Sequence, residues 1–195
     1  MYTFRTETDF ESFDRFVEEH HGQYQQCSLW PKVKTAWTPH FYAGFDEAGE
    51  RVLTCLVLER DLPVAGKLWY VPYGTVSDIT NEALQKEFAT FIAAEMKAHK
   101  AFCTIIDPPV PLRIDGESQE AGHAAHKLLT SIGYELNTDL PSYTYKHPVQ
   151  TLIPLRDENG ELIPGKQLLK KCEKGVRYSC LLYTSPSPRD ATLSR

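Results

Sequence analysis

Apolar side chains recur at helical spacing over residues 9–21, where Phe10, Phe13, Phe16 and Val17 fall on one stripe of DFESFDRFVEEHH. Thr8 or Asp9 is placed to cap this helix and Gly22 to stop it. After a polar stretch and the segment LWPKVKTAW, residues 40–45 and 52–59 read as strands around the turn Asp46-Glu47-Ala48-Gly49. Residues 67–71 form a third strand beyond the 63–66 turn, and 72–78 read as a loop by their proline and glycine. The longest helix spans 80–100, with Leu84, Phe88, Phe91, Ile92 and Met96 on one face. Residues 101–106, AFCTII, form a nearly unbroken apolar run, the pattern of a strand covered on both faces, and it ends at Asp107-Pro108-Pro109. A helix over 118–132 follows, with Gly133 as its C-cap. Strands at 134–136, 142–145 and 150–155, a turn at 157–160 and a last helix over 165–174 complete the pattern. This order predicts an α/β fold: a mixed sheet flanked by helices.

Composition leaves that picture intact and narrows the function. The 195 residues are 42% hydrophobic and 24% charged, as in ordinary globular domains. A formal charge of −5 excludes a general nucleic-acid coat but leaves room for a local basic patch. No apolar run reaches the roughly 18–20 residues of a spanning helix, and the N-terminus has no basic start and apolar core of a signal peptide. A cytoplasmic protein is the expectation. The five cysteines show no CxxC or finger spacing, so reduced thiols are expected, with Cys103 a small core residue.

Residues 180–195, CLLYTSPSPRDATLSR, continue none of these patterns. Their first eleven match the translation of a transposon-type sequencing adapter, so a non-native, disordered tail is expected, with the natural reading frame running on past Ser179. A native disordered tail is the alternative.

Four segments carry candidate chemistry: Gln26-x-x-x-Trp30-x-x-x-Lys34, Tyr70-x-Pro72-x-Gly74-x-x-x-Asp78, the strand ending Ile105-Ile106-Asp107-Pro108, and Leu168-Leu169-Lys170-Lys171-Cys172-Glu173-Lys174-Gly175-Val176. In this order and spacing, over 1–179, they resemble the Fem-type (FemABX) peptidyltransferases. Members of that family carry Q-S-x-x-W-x-x-V-K, Y-x-x-x-G-P-V-x-D, a strand ending in D-P, and K-x-x-x-K-A-x-K-x-G-V. Thr75 stands where the family usually has proline and Cys172 where it has alanine, and neither position needs chemistry.

The resemblance implies two GNAT-like (acetyltransferase-like) units packed together. Residues 1–148 would be the first and 149–179 the start of the second. It also implies transfer of amino acids from aminoacyl-tRNA to the stem peptide of a lipid- or nucleotide-linked peptidoglycan precursor. The work would be done in the cytoplasm, at the inner face of the membrane, with no cofactor and no metal. The part in hand would be inactive alone, because the donor-side half of the cleft and an arginine partner for Lys34 would lie beyond it.

Lys34 is the candidate for the precursor's diphosphate, since two negative charges need a cation at hydrogen-bond range. The near alternative is Lys32, and a solvated surface lysine is the plain reading. Asp107 follows a strand end, where open α/β sheets place ligand crevices. The attacking amine is an ammonium at neutral pH and must lose a proton. Asp107 could orient it or take that proton through water; it could equally cap the turn at Pro108.

Tyr70, Tyr73 and Asp78 lie on the loop expected to line the same cleft. Phe102 falls where some relatives have a tyrosine touching the acceptor, and core packing is its stronger expectation. His123 and His126, three apart on the 118–132 helix, could turn to one ion, but with no third ligand in the pattern they read as surface residues. The basic run 166–177 could meet tRNA phosphates and is read as a solvated helix face. Two rivals remain: a stand-alone acyl-CoA-dependent GNAT enzyme and a non-catalytic precursor-binding module. The first is disfavoured because no Q/R-x-x-G-x-G/A pyrophosphate loop occurs.

Overall fold

The computed structural model describes residues 1–64, 66–136 and 155–171, and the chain divides into two units, Met1–Asn137 and Thr138–Arg195. In the first unit, β1 (Thr3–Thr6), β2 (Thr38–Phe45), β3 (Arg51–Leu62), β4 (Gly66–Val71) and β6 (Ala101–Ile106) lie side by side in that order. The short strand β5 (Val76–Ser77) also pairs with β3. All pairs are antiparallel except β4 with β6, which run parallel because α2 (Glu82–His99) carries the chain across between them. This is the expected mixed sheet flanked by helices.

Alternation along the strands assigns the two faces. Tyr42, Leu53, Cys55, Val57, Trp69 and Val71 point to one side and bury Leu84, Phe88 and Ile92 of α2. Phe41, Leu56, Leu58, Tyr70 and Val76 point to the other and bury Phe13, Phe16 and Val17 of α1 (Phe10–Glu19). Asp9 caps α1 by accepting from the Ser12 amide, and Asn81 caps α2 by accepting from Leu84. Gly22 ends α1 by donating to the Val17 carbonyl at 2.7 Å.

Several details depart from the sequence reading. Strand β1 carries no pattern strong enough to predict it. The apolar run of β6 is only half-buried and forms the last strand of the described sheet, so continuous apolarity here does not mark a central strand. Its Cys103 is correspondingly half-buried. Residues 134–136 are not a strand: after α3 (Glu120–Ser131), Gly133 takes φ +101° and the Tyr134 amide closes the helix end by donating to the Leu129 carbonyl. Between β6 and α3 lies a small hairpin of β7 (Arg113–Ile114) and β8 (Glu117–Ser118).

In the second unit, Asp157 accepts from the Asn159 and Glu161 amides around the expected turn, and α4 (Gly165–Lys171) follows. The expected strand 142–145, most of 150–155, the end of the last helix and the tail lie outside the described residues.

Glu7 anchors the start of α1 to β3. Its carboxylate accepts from the Thr8 and Asp9 amides and meets Arg51 Nη2 at 2.7 Å. Burial pushes the Glu7 pKa up, but the Asp9 amide, Arg51 and the Thr8 amide outweigh it and hold the group below its ordinary value. A depressed carboxylate stabilises the fold above its unfolded pKa and loses that contribution as pH falls through the folded one. Glu7→Gln is therefore expected to cost about 3 kcal/mol at pH 7, chiefly by leaving Arg51 uncompensated. In urea unfolding, the gap to wild type should narrow at pH 3; a gap unchanged between the two pH values would contradict this.

Candidate functional site

Strand β3 has a gap on its β4 side. Strand β4 pairs with residues 58–62 and β5 with 53–54, which leaves the Leu56 peptide groups without a strand partner on that edge. Gln26, fully buried, fills the gap. Its Oε1 accepts from the Leu56 amide at 2.7 Å, and its Nε2 donates to the Leu56 carbonyl at 3.3 Å and to the Pro72 carbonyl at 2.6 Å. One side-chain amide thus stands in for a strand and joins the first candidate segment to the second.

The chain leaving Gln26 carries Trp30 and Trp37 onto the α1 side of the sheet, where both pack against the core that includes Tyr70 and Ile105. Lys34 lies between them, half-buried, with Nζ 5.4 Å from the Trp30 ring centroid. Lys32 is exposed. Trp37 stands 6.2 Å from the Tyr70 ring, and the exposed Arg60 on β3 places its guanidinium 5.6 Å from the Trp37 centroid. Two cations therefore sit over two indoles on this face.

Asp107 follows β6 on the same face. Its Oδ2 accepts from the Tyr70 hydroxyl at 2.9 Å and its Oδ1 from the Tyr73 amide at 2.5 Å. The turn it holds is tight: Tyr73 has φ +61° and Gly74 φ +70°, and a Cβ on Gly74 would stand 3.1 Å from Pro108 Cα. The carboxylate therefore clamps the 72–74 turn, a role different from capping its own turn at Pro108.

Of the six candidate residues, the fold brings Tyr70, Tyr73 and Asp107 into contact and ties the Lys34 segment to them through Trp37. Two fall elsewhere. Asp78 is exposed, and its carboxylate accepts from the Thr80 hydroxyl and amide, which hold its pKa below the usual carboxylate value. It braces the approach to α2. Phe102 is neither core nor part of this group: it is 54% exposed and sits in a bulge, since Ala101 pairs with Lys67 and Cys103 with Leu68. Asp107 is five residues further along, roughly 16 Å at strand rise.

Sequence reasoning quoted Gln26 only as a motif position and did not single out Arg60, whose guanidinium lies over Trp37. It also missed the approach of His40, Glu59 and His99. Among the described residues, no helix is long and apolar enough to cross a membrane. His123 is exposed and His126 half-buried on α3.

A sheet of this order overlays the structure of FemX with a TM-score of 0.58 at 24% identity. The match covers 68% of this chain and 31% of the length of FemX. Weaker overlays include glucosamine-6-phosphate N-acetyltransferase from Arabidopsis thaliana (TM-score 0.47, 10% identity, 75% of this chain and 99% of that one). Another is an acetyltransferase structure from Pyrococcus furiosus (TM-score 0.45, 17% identity, 74% and 99%). No curated protein matches the chain. The FemAB family profile matches residues 8–178, and the chain belongs to the FemAB family.

Proposed function

We propose that this chain is the acceptor-side unit of a Fem-type aminoacyltransferase, one that moves amino acids from aminoacyl-tRNA to the stem peptide of a peptidoglycan precursor. The observation that carries the reading is the Gln26 bridge, which in a FemAB-family chain joins the Lys34 segment to the turn clamped by Asp107. On this reading residues 1–148 form the first GNAT-like unit and 149–179 open the second, consistent with the 31% of FemX that the chain covers. The enzyme works in the cytoplasm, at the inner face of the membrane.

Lys34 gives a diphosphate a cation at hydrogen-bond range, and its indole neighbour limits where the ammonium can swing. Arg60 over Trp37 offers a second positive group on the same face. Asp107, with Tyr70 and Tyr73 fixing both its oxygens, accepts from the stem-peptide ammonium and orients it. Once that ammonium has lost a proton to water, the amine attacks the aminoacyl ester carbonyl. The amide bond forms, the ester C–O bond breaks, and the ribose oxygen leaves as a hydroxyl after protonation. Tyr73 lines the acceptor groove.

The test is donor choice. A protein comprising both units should transfer a labelled amino acid from aminoacyl-tRNA to a nucleotide-linked stem peptide, and transfer nothing from acyl-CoA. The 195-residue chain alone should bind the precursor without turnover. Acyl transfer from acyl-CoA with none from aminoacyl-tRNA would overturn the proposal.

A further inference from the structure

The α1 face is not the only place where side chains of unlike sequence position converge. On the α2 face, at the end of the sheet remote from Asp107, His40 of β2, Glu59 of β3 and His99 in the last position of α2 bring one ligand atom each within 4.8 Å of one another. His40 Nε2 lies 3.3 Å from Glu59 Oε2, and His99 Nδ1 lies 3.8 Å from the same oxygen.

These groups are held by rigid parts of the fold. His40 is diagonal to Glu59 across the β2–β3 ladder, where Thr38 pairs with Glu59 and His40 with Val57. The two imidazoles approach to 4.5 Å between centroids, and each lies 5.4 Å from the Trp69 ring. Glu59 is oriented by its neighbours: Trp69 Nε1 donates to Oε2 at 2.8 Å and Lys67 Nζ to Oε1 at 2.7 Å. Fixed second partners of this kind aim metal-binding carboxylates.

His40 Nε2 is the informative atom. It is buried and faces Glu59 Oε2 at 3.3 Å, an ion-pair contact without good hydrogen-bond geometry. A buried ring nitrogen so poorly partnered is costly. The 3.3 Å separation equals the edge of a tetrahedron whose metal–ligand bonds are about 2.0–2.1 Å, while His99, 3.8 Å from the same oxygen, would close in on binding. We infer that His40, Glu59 and His99 form a binding site for a first-row transition-metal dication of the zinc class.

The donor set chooses the ion. Two imidazole nitrogens suit zinc, cobalt, nickel and copper, whereas magnesium and calcium need mostly oxygen. Lys67 offsets the charge of Glu59, so binding depends on the nitrogens and discriminates further against hard cations. His99 is about one-third exposed, which leaves a fourth position for water on the solvent side. The bound ion would pin the end of α2 to β2 and β3.

Cobalt(II) titration of the full metal-free chain, followed by visible d–d absorption, tests this. One equivalent should give the intense bands of a tetrahedral site, and zinc should abolish them. His99→Gln should weaken binding at least about tenfold, and His40→Gln more. His123→Gln with His126→Gln should change nothing. His99 is exposed enough that its variant should fold, which circular dichroism checks; should His40→Gln fail to fold, the His99 variant decides alone. Absence of stoichiometric binding, or binding undiminished in folded His99→Gln, overturns the assignment.

Discussion

Gln26→Leu is expected to destabilise the chain by about 3–6 kcal/mol, because it leaves the Leu56 amide and the Leu56 and Pro72 carbonyls buried without partners. Leucine nearly preserves the volume and so excludes the water that would rescue those groups. Gln26→Ala opens space for water beside the same groups and is expected to cost less, about 2–4 kcal/mol. The order of the two variants distinguishes causes. If Gln26 served mainly as filling, alanine would be the worse replacement, since cavity cost grows with the atoms removed. Urea unfolding with an unchanged m-value, leucine below alanine below wild type, is the predicted result. Loss of the bridge should also release the Pro72 turn from β3 and weaken precursor binding in any variant that still folds.

The second large effect is at Asp107. Asp107→Asn keeps an oxygen for the Tyr73 amide, and the Tyr70 hydroxyl can accept from the new amide nitrogen, so the turn should hold. What disappears is the negative charge that the proposal aims at the acceptor ammonium. Transfer by the two-unit protein should fall about 10²–10⁴-fold, within the range of a lost general base or its equivalent in ammonium orientation, while thermal stability changes little. Asp107→Ala should lose both turn and charge. Full activity in the asparagine variant would make Asp107 a clamp for the 72–74 turn and nothing more.

What could be read from the sequence was what is local. The α1 stripe of Phe13, Phe16 and Val17, the 46–49 turn between β2 and β3, and the apolar face of α2 are each set by residues within a few positions of one another. The half-buried last strand β6 was misread because AFCTII reports apolarity and not what lies beside it. The bulge at Phe102 depends on register against β4, which no periodicity encodes. Asp78-Ile79-Thr80 did carry a signal: aspartate two before threonine is a local turn pattern, and the carboxylate does bind Thr80.

The Gln26 bridge spans 46 positions to Pro72 and the Asp107 clamp 34 to Tyr73. Nothing in composition or spacing announces such contacts. The fold joins the first three segments of the Fem-type resemblance, but the physical reason for the glutamine appears only once β3 is seen to lack a strand partner at Leu56 on its β4 side.

Calorimetry of the chain with a nucleotide-linked stem peptide, wild type against Lys34→Ala, bears most directly on the role given to the α1 face. Removing one charged phosphate contact of about 1.5 kcal/mol predicts affinity roughly tenfold weaker for the variant, with less difference as salt rises. Lys32→Ala, which removes an exposed neighbour of equal charge, should bind like wild type. Equal heats for wild type and Lys34→Ala would remove Lys34 from the site and with it the reading of this face as the seat of a pyrophosphate.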